Sequence, residues 1–261
     1  IAVIGAGAWG SALAIHIAKR HALRLWARDH EQVEAMALDR ENKRYLPGIR
    51  FPQNLQVTAR LQEAIEGASL WILASPMSGL RQSLDAIKQL ASPQHWPVLL
   101  WLCKGIERES GLLAHQVLEQ AGAGAKAGAL SGPSFALETA QGLPVALVVA
   151  SVHEDCAPVA RQAMHHDAMR LYGNSDLIGV ELGGALKNVM AIAAGVCDGL
   201  GMGNNARAAL LTRGLAEIAR LGQRMGAKPQ TFMGLTGLGD LLLTATGSLS
   251  RNRQVGLALA K

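Results

Sequence analysis

The chain opens on the stretch Ile1-Ala2-Val3-Ile4-Gly5-Ala6-Gly7-Ala8-Trp9-Gly10, which decides the type of fold. Its first four residues form an apolar run typical of a buried strand, and helical spacing follows as far as about Arg20. Gly5, Gly7 and Gly10 have the spacing Gly-x-Gly-x-x-Gly at the turn between them. This spacing, between a strand and a helix, is typical of dinucleotide binding: one glycine allows the tight turn, one admits the pyrophosphate, and one lets the helix pack closely. A turn that serves packing alone is the alternative.

Beyond the glycine turn, apolar runs alternate with helical segments. Further strand-like runs cover residues 23–27, 70–74, 98–102, 127–130 and 145–150, and helical segments include 79–90 and 112–120. This alternation predicts an α/β fold with a Rossmann-type, doubly wound and mainly parallel sheet that has helices on both faces. Strand-like runs stop near residue 176. We therefore expect a dinucleotide-binding domain over 1–177 and an all-α substrate and catalytic domain over 178–261, and we expect the natural chain to extend beyond both ends of this sequence.

The composition describes an ordinary globular protein with an uneven charge. Of 261 residues, 49% are hydrophobic and 17% charged, which favours a large core and argues against disorder. The net charge of +5 lies entirely after residue 180, where nine basic residues face four acidic ones. That segment should attract anions, but Phe232 is its one aromatic residue, so stacking platforms for nucleic acid are lacking. A small phosphorylated or carboxylated substrate is the better fit, although the basic pI leaves DNA binding as an alternative.

The cysteines and the apolar runs indicate which cellular compartment suits the protein and whether it spans a membrane. Cys103, Cys156 and Cys197 include no Cys-x-x-Cys pair, so we predict neither a disulfide framework nor a cysteine zinc site, no metal at all, and a reducing cytoplasm. The richest apolar runs, 145–150 and 189–197, are far shorter than the roughly 20 residues that cross a bilayer. We therefore predict no membrane span.

The residue that follows the second strand bears on the choice of cofactor. Roughly 20 residues beyond the glycines, a carboxylate usually accepts the ribose 2′-hydroxyl of NAD, whereas an arginine accommodates the 2′-phosphate of NADP. Arg28 stands at the end of the second strand, which favours NADP. Asp29 follows it and would serve NAD, and a solvated surface role for Arg28 is the remaining alternative.

An enzyme that reduces a carbonyl with hydride from a nicotinamide cofactor needs a proton donor near the carbonyl oxygen. All eight histidines precede the helical segment, and neither tyrosine has a lysine four residues later, as in short-chain reductases. Lys187 lies in an otherwise apolar helix with Gly183 one turn before it and Asn188 after it. Burial there would lower its pKa towards the working pH. The alternative is a structural lysine whose stem reaches out to solvent.

Six motifs in order carry a resemblance to a known family. They are residues 5–10 (GAGAWG), 104–105 (KG), 131–135 (SGPSF), 182–188 (LGGALKN), 237–241 (GLGDL) and 250–253 (SRNR). With them the chain resembles bacterial-type NAD(P)-dependent glycerol-3-phosphate dehydrogenases. The resemblance implies reversible reduction of dihydroxyacetone phosphate to sn-glycerol 3-phosphate for phospholipid synthesis. It makes Lys187 the catalytic lysine and Lys104 a second active-site lysine, which would help to depress the pKa of Lys187.

The resemblance also assigns binding residues. Substrate would contact Lys104, Gly132, Ser134, Asp240, Ser250, Arg251 and Asn252, with Thr244 a weaker candidate; the cofactor would contact Gly5, Gly7, Ala8, Trp9, Gly10, Arg28, Lys104, Ala136 and Arg251. Pro133 is expected in the first turn of a helix, where free N–H groups and the Ser134 hydroxyl can hold an oxyanion. Ala8 departs from the family, which often has a hydroxyl residue there. The alternatives are a helix-start surface position for Lys104 and a solvated polar loop for 250–253.

Rival functions share some of these features. A hydroxyisobutyrate or ketopantoate reductase would keep the glycine turn and the lysine, and a non-enzymatic NADP-sensing regulator would keep the glycine turn alone. Residues 250–252 discriminate, because they belong to the phosphate-binding interpretation. The sequence does not determine the oligomeric state, for which a homodimer is a candidate.

Overall fold

The computed structural model describes residues 1–122, 126–166 and 168–261, and its centre is a sheet of eight strands. In space they run in the order β3-β2-β1-β4-β5-β6-β7-β8, and every neighbouring pair is parallel except β6 and β7. The reversal of strand order beside β1 is the topology of a doubly wound sheet, so the predicted fold class is confirmed. The strands are β1 Ala2–Ile4, β2 Leu23–Trp26, β3 Leu55–Thr58, β4 Leu70–Leu73, β5 Val98–Trp101, β6 Ala127–Ser131, β7 Val145–Ala150 and β8 Met169–Asn174.

Helices connect the strands and then form a region of their own. Those within the sheet region are α1 Ala8–Ala18, α2 His30–Asp39, α3 Leu61–Ile65, α4 Met77–Leu90, α5 Ala114–Gln120, α6 Ala136–Gln141 and α7 Cys156–Met164, with a 3-10 turn at Pro93–His95. The region after β8 contains α8 Leu177–Gly199, α9 Gly203–Arg224, α10 Pro229–Phe232, α11 Asp240–Thr246 and α12 Arg251–Leu259, with a π-helical turn at Leu235–Gly239. Residues 177–261, all of which the structure describes, contain no strand, as the sequence predicts.

Apolar side chains cover both faces of the sheet. Along β1, Val3 belongs to one buried cluster, whereas Ala2 and Ile4 belong to the cluster on the opposite face. The second cluster also contains Leu177 and Val180 from the start of α8, so the helical region is packed directly onto the sheet. The division at residues 177 and 178 stays a prediction; β8 ends and α8 begins beside it.

The two edge strands, β3 and β8, were not predicted from the sequence. In β8 burial alternates along the strand, and β3 presents Gln56 to solvent between partly and fully buried neighbours. Neither segment is a continuous apolar run, because a strand at the edge of a sheet packs chiefly through one face. The sequence signal was alternation rather than an apolar run.

The helical region is organised around α8. A Cβ on Gly195 would lie 2.2 Å from the carbonyl oxygen of Arg253, and one on Gly256 would lie 2.1 Å from that of Ile192. Glycine at these two positions therefore lets α12 cross α8 at backbone contact distance.

The apolar helix α8 is longer than the apolar run that the sequence analysis recognised in it. Its apolar stretch exceeds the run of 189–197, and within the described residues α8 is the one helix long and apolar enough to cross a membrane by length and composition. However, 61% of its most apolar window is buried inside the protein. The side chains of Glu181 and Lys187 are buried with it. These features identify α8 as a core helix.

Candidate functional site

The glycine turn between β1 and α1 has the geometry that the sequence predicts. Gly5 has φ +122°, and a Cβ there would lie 2.9 Å from the backbone of Ala74. A Cβ on Gly10 would lie 2.0 Å from the carbonyl oxygen of Gly5, so this glycine is needed for the close approach of helix and strand. A Cβ on Gly7 would meet nothing within 4 Å, because the space in front of it is open.

The amino end of α1 provides a place for an anion. No side chain caps the helix at Gly7, and its first turn contains no acidic residue. Free N–H groups and the helix dipole there favour a phosphate. The open space at Gly7 and the uncapped helix together fit the pyrophosphate of a dinucleotide. Ala8 and Trp9 follow in the first turn, where Trp9 is half-buried against the core.

A cleft of about 650 Å³ extends from this turn across the carboxyl ends of the neighbouring strands. Its lining includes Gly5, Gly7, Arg28, Asp29 and Arg44. Arg28 is exposed at the cleft, as the sequence predicts. The other predicted cofactor residues do not line it; they are Ala8, Trp9, Gly10, Lys104, Ala136 and Arg251. The cleft is large enough for part of a dinucleotide, and its rim carries two arginines.

The two predicted active-site lysines converge on one carboxylate. Lys104 Nζ lies 2.6 Å from Oδ2 of Asp240, and Lys187 Nζ donates to Oδ1 of the same residue. Lys187 also donates to the hydroxyl of Thr244 at 3.0 Å. Asp240 is 1% exposed, and Thr244 lies one helical turn after it on α11. The sequence predicts Asp240 and Thr244 near the substrate. It does not predict that Asp240 binds both lysines or that Thr244 binds Lys187.

Burial changes the acidity of Lys187. Desolvation, followed by the charge of nearby Lys104, lowers the pKa of Lys187 from 10.5 to about 7, although the Asp240 carboxylate acts in the opposite direction. The side chain is 10% exposed, so the alternative of a stem that reaches freely into solvent is wrong. An amine with this pKa can both give and take a proton near neutral pH.

Lys104 lies in a loop that follows β5, not at the start of a helix. The next residue, Gly105, has φ +135°, a conformation that suits glycine. The stem of Lys104 passes over Gly184 on α8, where an added Cβ would lie 3.4 Å from its Cγ and Cδ. The stem of Lys104 is therefore packed against the helix that carries Lys187.

The turn after β6 lies beside Lys104, but Pro133 does not have the predicted position in a helix. The carbonyl oxygen of Gly132 accepts from Lys104 Nζ at 3.3 Å and from the Ser134 hydroxyl at 3.1 Å. Pro133 is not in the first turn of a helix, because α6 begins only at Ala136. Gly132 has φ +141°, and this turn separates the strand from the helix.

Residues 250–252 form the start of a helix, not the solvated polar loop that was the alternative to substrate binding. Ser250 caps α12, because its hydroxyl accepts from the Arg253 N–H at 3.2 Å, and it is 3% exposed. Arg251 is exposed in the first turn. Asn252 donates to Oδ1 of Asn188 at 2.8 Å, which links this turn to the helix that carries Lys187. A capped helix start is more rigid than a solvated loop, since the serine satisfies one of its free N–H groups.

A salt-bridge network holds α12 in place. Arg253 Nη2 lies 2.6 Å from Oδ2 of Asp198 on α8, and Arg207 on α9 binds the same carboxylate at 2.9 Å. Arg253 thus lies in a helix, and the alternative of a solvated polar loop at 250–253 is wrong for it. In residues 1–122, 126–166 and 168–261, no group of three or more histidine, cysteine or acidic side chains could hold a metal ion.

Family comparisons match the same two regions. Residues 1–157 match the family described as NAD-dependent glycerol-3-phosphate dehydrogenase N-terminus, and residues 176–261 match its C-terminus. The chain belongs to the NAD-dependent glycerol-3-phosphate dehydrogenase family. The resemblance carried by the six motifs is thereby confirmed.

Individual relatives agree with this assignment. The chain is 54% identical to a glycerol-3-phosphate dehydrogenase [NAD(P)+] from Variovorax paradoxus, over all of this chain and 79% of the relative. The crystal structure of a glycerol-3-phosphate dehydrogenase from Coxiella burnetii is similar with a TM-score of 0.95 and 39% identity, over 99% of this chain and 79% of that one. A yeast enzyme of the same family is similar with a TM-score of 0.85 and 28% identity, over 99% of this chain and 80% of that one.

Within this glycerol-3-phosphate dehydrogenase fold, two groups of the predicted residues come together, and a third set, Ser250, Arg251 and Asn252, stands at the start of α12. Lys104, Lys187, Asp240 and Gly132 meet in a network of direct contacts. Gly5, Gly7 and Arg28 line the cleft. Arg44, which the sequence analysis missed, lines that cleft too. It follows no strand, so its position could not be deduced from strand ends.

Proposed function

We propose that this protein reversibly reduces dihydroxyacetone phosphate to sn-glycerol 3-phosphate with NADPH, and with NADH to a smaller extent. The observation that carries the proposal is the buried amine of Lys187, held beside Lys104 by one carboxylate and having a pKa lowered to about 7. A reductase of this kind needs a proton donor that is charged in one direction of the reaction and neutral in the other.

A nicotinamide cofactor, when bound in the cleft, supplies the hydride for C2 of the substrate. Lys187 donates a proton to the C2 oxygen, so the carbonyl becomes an alcohol, and in the oxidative direction the neutral amine accepts that proton. Asp240 holds the donor, and Thr244 accepts one of its other protons. Fixing the amine in this way limits the reorganisation required at the moment of transfer.

The phosphate of the substrate needs cationic and N–H partners. Arg251 is exposed in the first turn of α12, which contains no acidic residue, and the N–H groups that the Ser250 cap leaves free and the helix dipole also favour an anion there. A planar guanidinium can bind two phosphate oxygens at once. We assign phosphate binding to Arg251 with Asn252, and we assign Ser250 the role of holding this turn. Gly132 and Ser134 complete the substrate side near Lys104, with Ala136 near the cofactor.

The broader setting follows from the same proposal. The product would enter phospholipid synthesis in the cytoplasm, where the three cysteines, which are free in the structure, stay reduced. We also propose residues 1–177 and 178–261 as the two domains, and a homodimer as the assembly.

Absorbance of NADPH at matched enzyme concentration tests the proposal with two substrates, dihydroxyacetone phosphate and ketopantoate. We expect turnover with the first and little with the second, because ketopantoate lacks a phosphate. Ketopantoate turnover that exceeded that of dihydroxyacetone phosphate would refute it.

A further inference from the structure

Both oxygens of Asp29 are already bound. Oδ1 accepts the backbone N–H of Gln32 at 3.2 Å and so caps α2. Oδ2 faces Nη1 of Arg44 at 3.3 Å. Asp29 stands just after β2, where a carboxylate that selects NAD would accept the ribose 2′-hydroxyl. In this protein that carboxylate is engaged by a helix end and a guanidinium instead.

Arg44 brings a second cation to the same part of the cleft. It lies between α2 and β3, and the cleft is lined by Arg28, Asp29, Arg44 and Tyr45 together. Its guanidinium lies over the ring of Tyr45, 5.2 Å from the centroid. The neighbouring Lys43 is directed elsewhere, to Asp39. Two arginines and one carboxylate leave this end of the cleft with a net positive charge.

The pairing of Arg44 with Asp29 contributes little to folding. The two side chains are 61% and 46% exposed, and ion pairs this exposed contribute roughly 0–1 kcal/mol to stability. The contact therefore leaves Arg44 able to exchange or share its partner when an anion arrives. A fork of five N–H donors can bind a carboxylate and a phosphate at once.

We propose that Arg44 is a specificity-determining residue that, with Arg28, binds the 2′-phosphate of the adenosine ribose and neutralises Asp29. This inference rests on the proposed function, because it concerns the cofactor of that reaction. A ribose 2′-hydroxyl gains much less from two guanidinium groups than a phosphate dianion does. The pair therefore favours NADPH over NADH.

Binding of adenosine 2′,5′-bisphosphate and of AMP, measured by calorimetry, tests Arg44 without any turnover. We expect Arg44→Ala to weaken bisphosphate binding at least tenfold at low salt, and AMP binding by less than about twofold. The same variant should lower kcat/KM for NADPH more than for NADH. Arg220→Ala is the matched control, because Arg220 is also an exposed arginine paired with an acidic residue, on α9. It should change neither affinity.

Asp29→Asn separates direct binding from simple neutralisation, because asparagine also caps helices well. If Arg44 binds the phosphate itself, Arg44→Ala still weakens bisphosphate binding in the Asp29→Asn background. If the effect of Arg44→Ala disappears there, or if wild type and Arg44→Ala bind the bisphosphate equally, the proposal is overturned. A wild type without turnover on dihydroxyacetone phosphate would refute the proposed function, whereas bisphosphate binding would still decide the role of Arg44.

Discussion

Lys187 and Lys104 direct their ammonium groups at the two oxygens of one carboxylate, that of Asp240. The lysines come from opposite parts of the chain, one from the loop after β5 and the other from α8. Desolvation and the charge of Lys104 lower the pKa of Lys187, whereas the Asp240 carboxylate raises it. The buried site therefore keeps the pKa of Lys187 at about 7.

The pH dependence of the two reaction directions should be opposite. Reduction requires protonated Lys187, so kcat/KM for dihydroxyacetone phosphate should fall as pH rises through the lysine pKa of about 7. Oxidation of glycerol 3-phosphate requires the neutral amine, so its kcat/KM should rise over the same range. Initial rates in both directions across pH measure this, and parallel profiles would contradict the assignment.

Removing Lys104 should raise the pKa of Lys187. After desolvation, the charge of Lys104 is the second cause of the lowered pKa of Lys187. In its absence the Asp240 carboxylate would interact with Lys187 only, and this interaction raises the pKa. In Lys104→Met the inflection in the reductive pH profile should therefore move upward by about one unit, alongside any loss of rate. An inflection that stayed in place or moved downward would show that Lys104 does not act on Lys187 through charge.

Two glycines of one turn should respond differently to alanine. Gly10→Ala places a Cβ 2.0 Å from backbone, so it should lower the free energy of unfolding by about 3 kcal/mol or more. Gly7→Ala meets nothing within 4 Å and should change stability by no more than about 0.5 kcal/mol. It should nevertheless weaken NADPH binding, because the methyl group occupies the space for the pyrophosphate. Denaturant unfolding and cofactor titration test both; unweakened binding in Gly7→Ala would contradict a pyrophosphate site there.

The ion pair between the partly buried His115 and the buried Glu181 should make stability depend on pH. Glu181 accepts the indole N–H of Trp101 at 3.1 Å and the backbone N–H of His115 at 3.0 Å, and it also binds the His115 ring. The hydrogen bond to Glu181 raises the pKa of His115 above 6.5 in the folded protein. Its stabilisation is therefore complete below pH 6.5 and is lost as pH rises through the raised pKa.

His115→Gln should destabilise the protein more at roughly pH 6 than at roughly pH 9, because only the protonated ring has this advantage. Urea midpoints at the two pH values provide the measurement. His153→Gln is the control, since His153 is exposed. An equal loss at both pH values in His115→Gln would show that the pair acts without charge.

The sequence predicted those features that local pattern determines. The glycine spacing located β1, α1 and the open space at Gly7, and the apolar surroundings of Lys187 predicted its burial. What depends on long-range packing was missed: Asp240 binds both lysines across 136 and 53 residues of chain, and no spacing rule connects them. Ser250 was assigned to the substrate, whereas its hydroxyl accepts the backbone N–H of Arg253 at the start of α12, a local cap that the sequence pattern alone did not distinguish from a phosphate ligand.

The most direct test is the rate of NADPH oxidation by dihydroxyacetone phosphate in wild type and in Lys187→Met, which removes the amine but keeps the length of the side chain. We predict a fall in kcat of roughly 100-fold to 10,000-fold with NADPH binding retained, as expected when a general acid is removed. Unfolding curves confirm that the variant is folded. A folded Lys187→Met with the wild-type kcat would contradict the account.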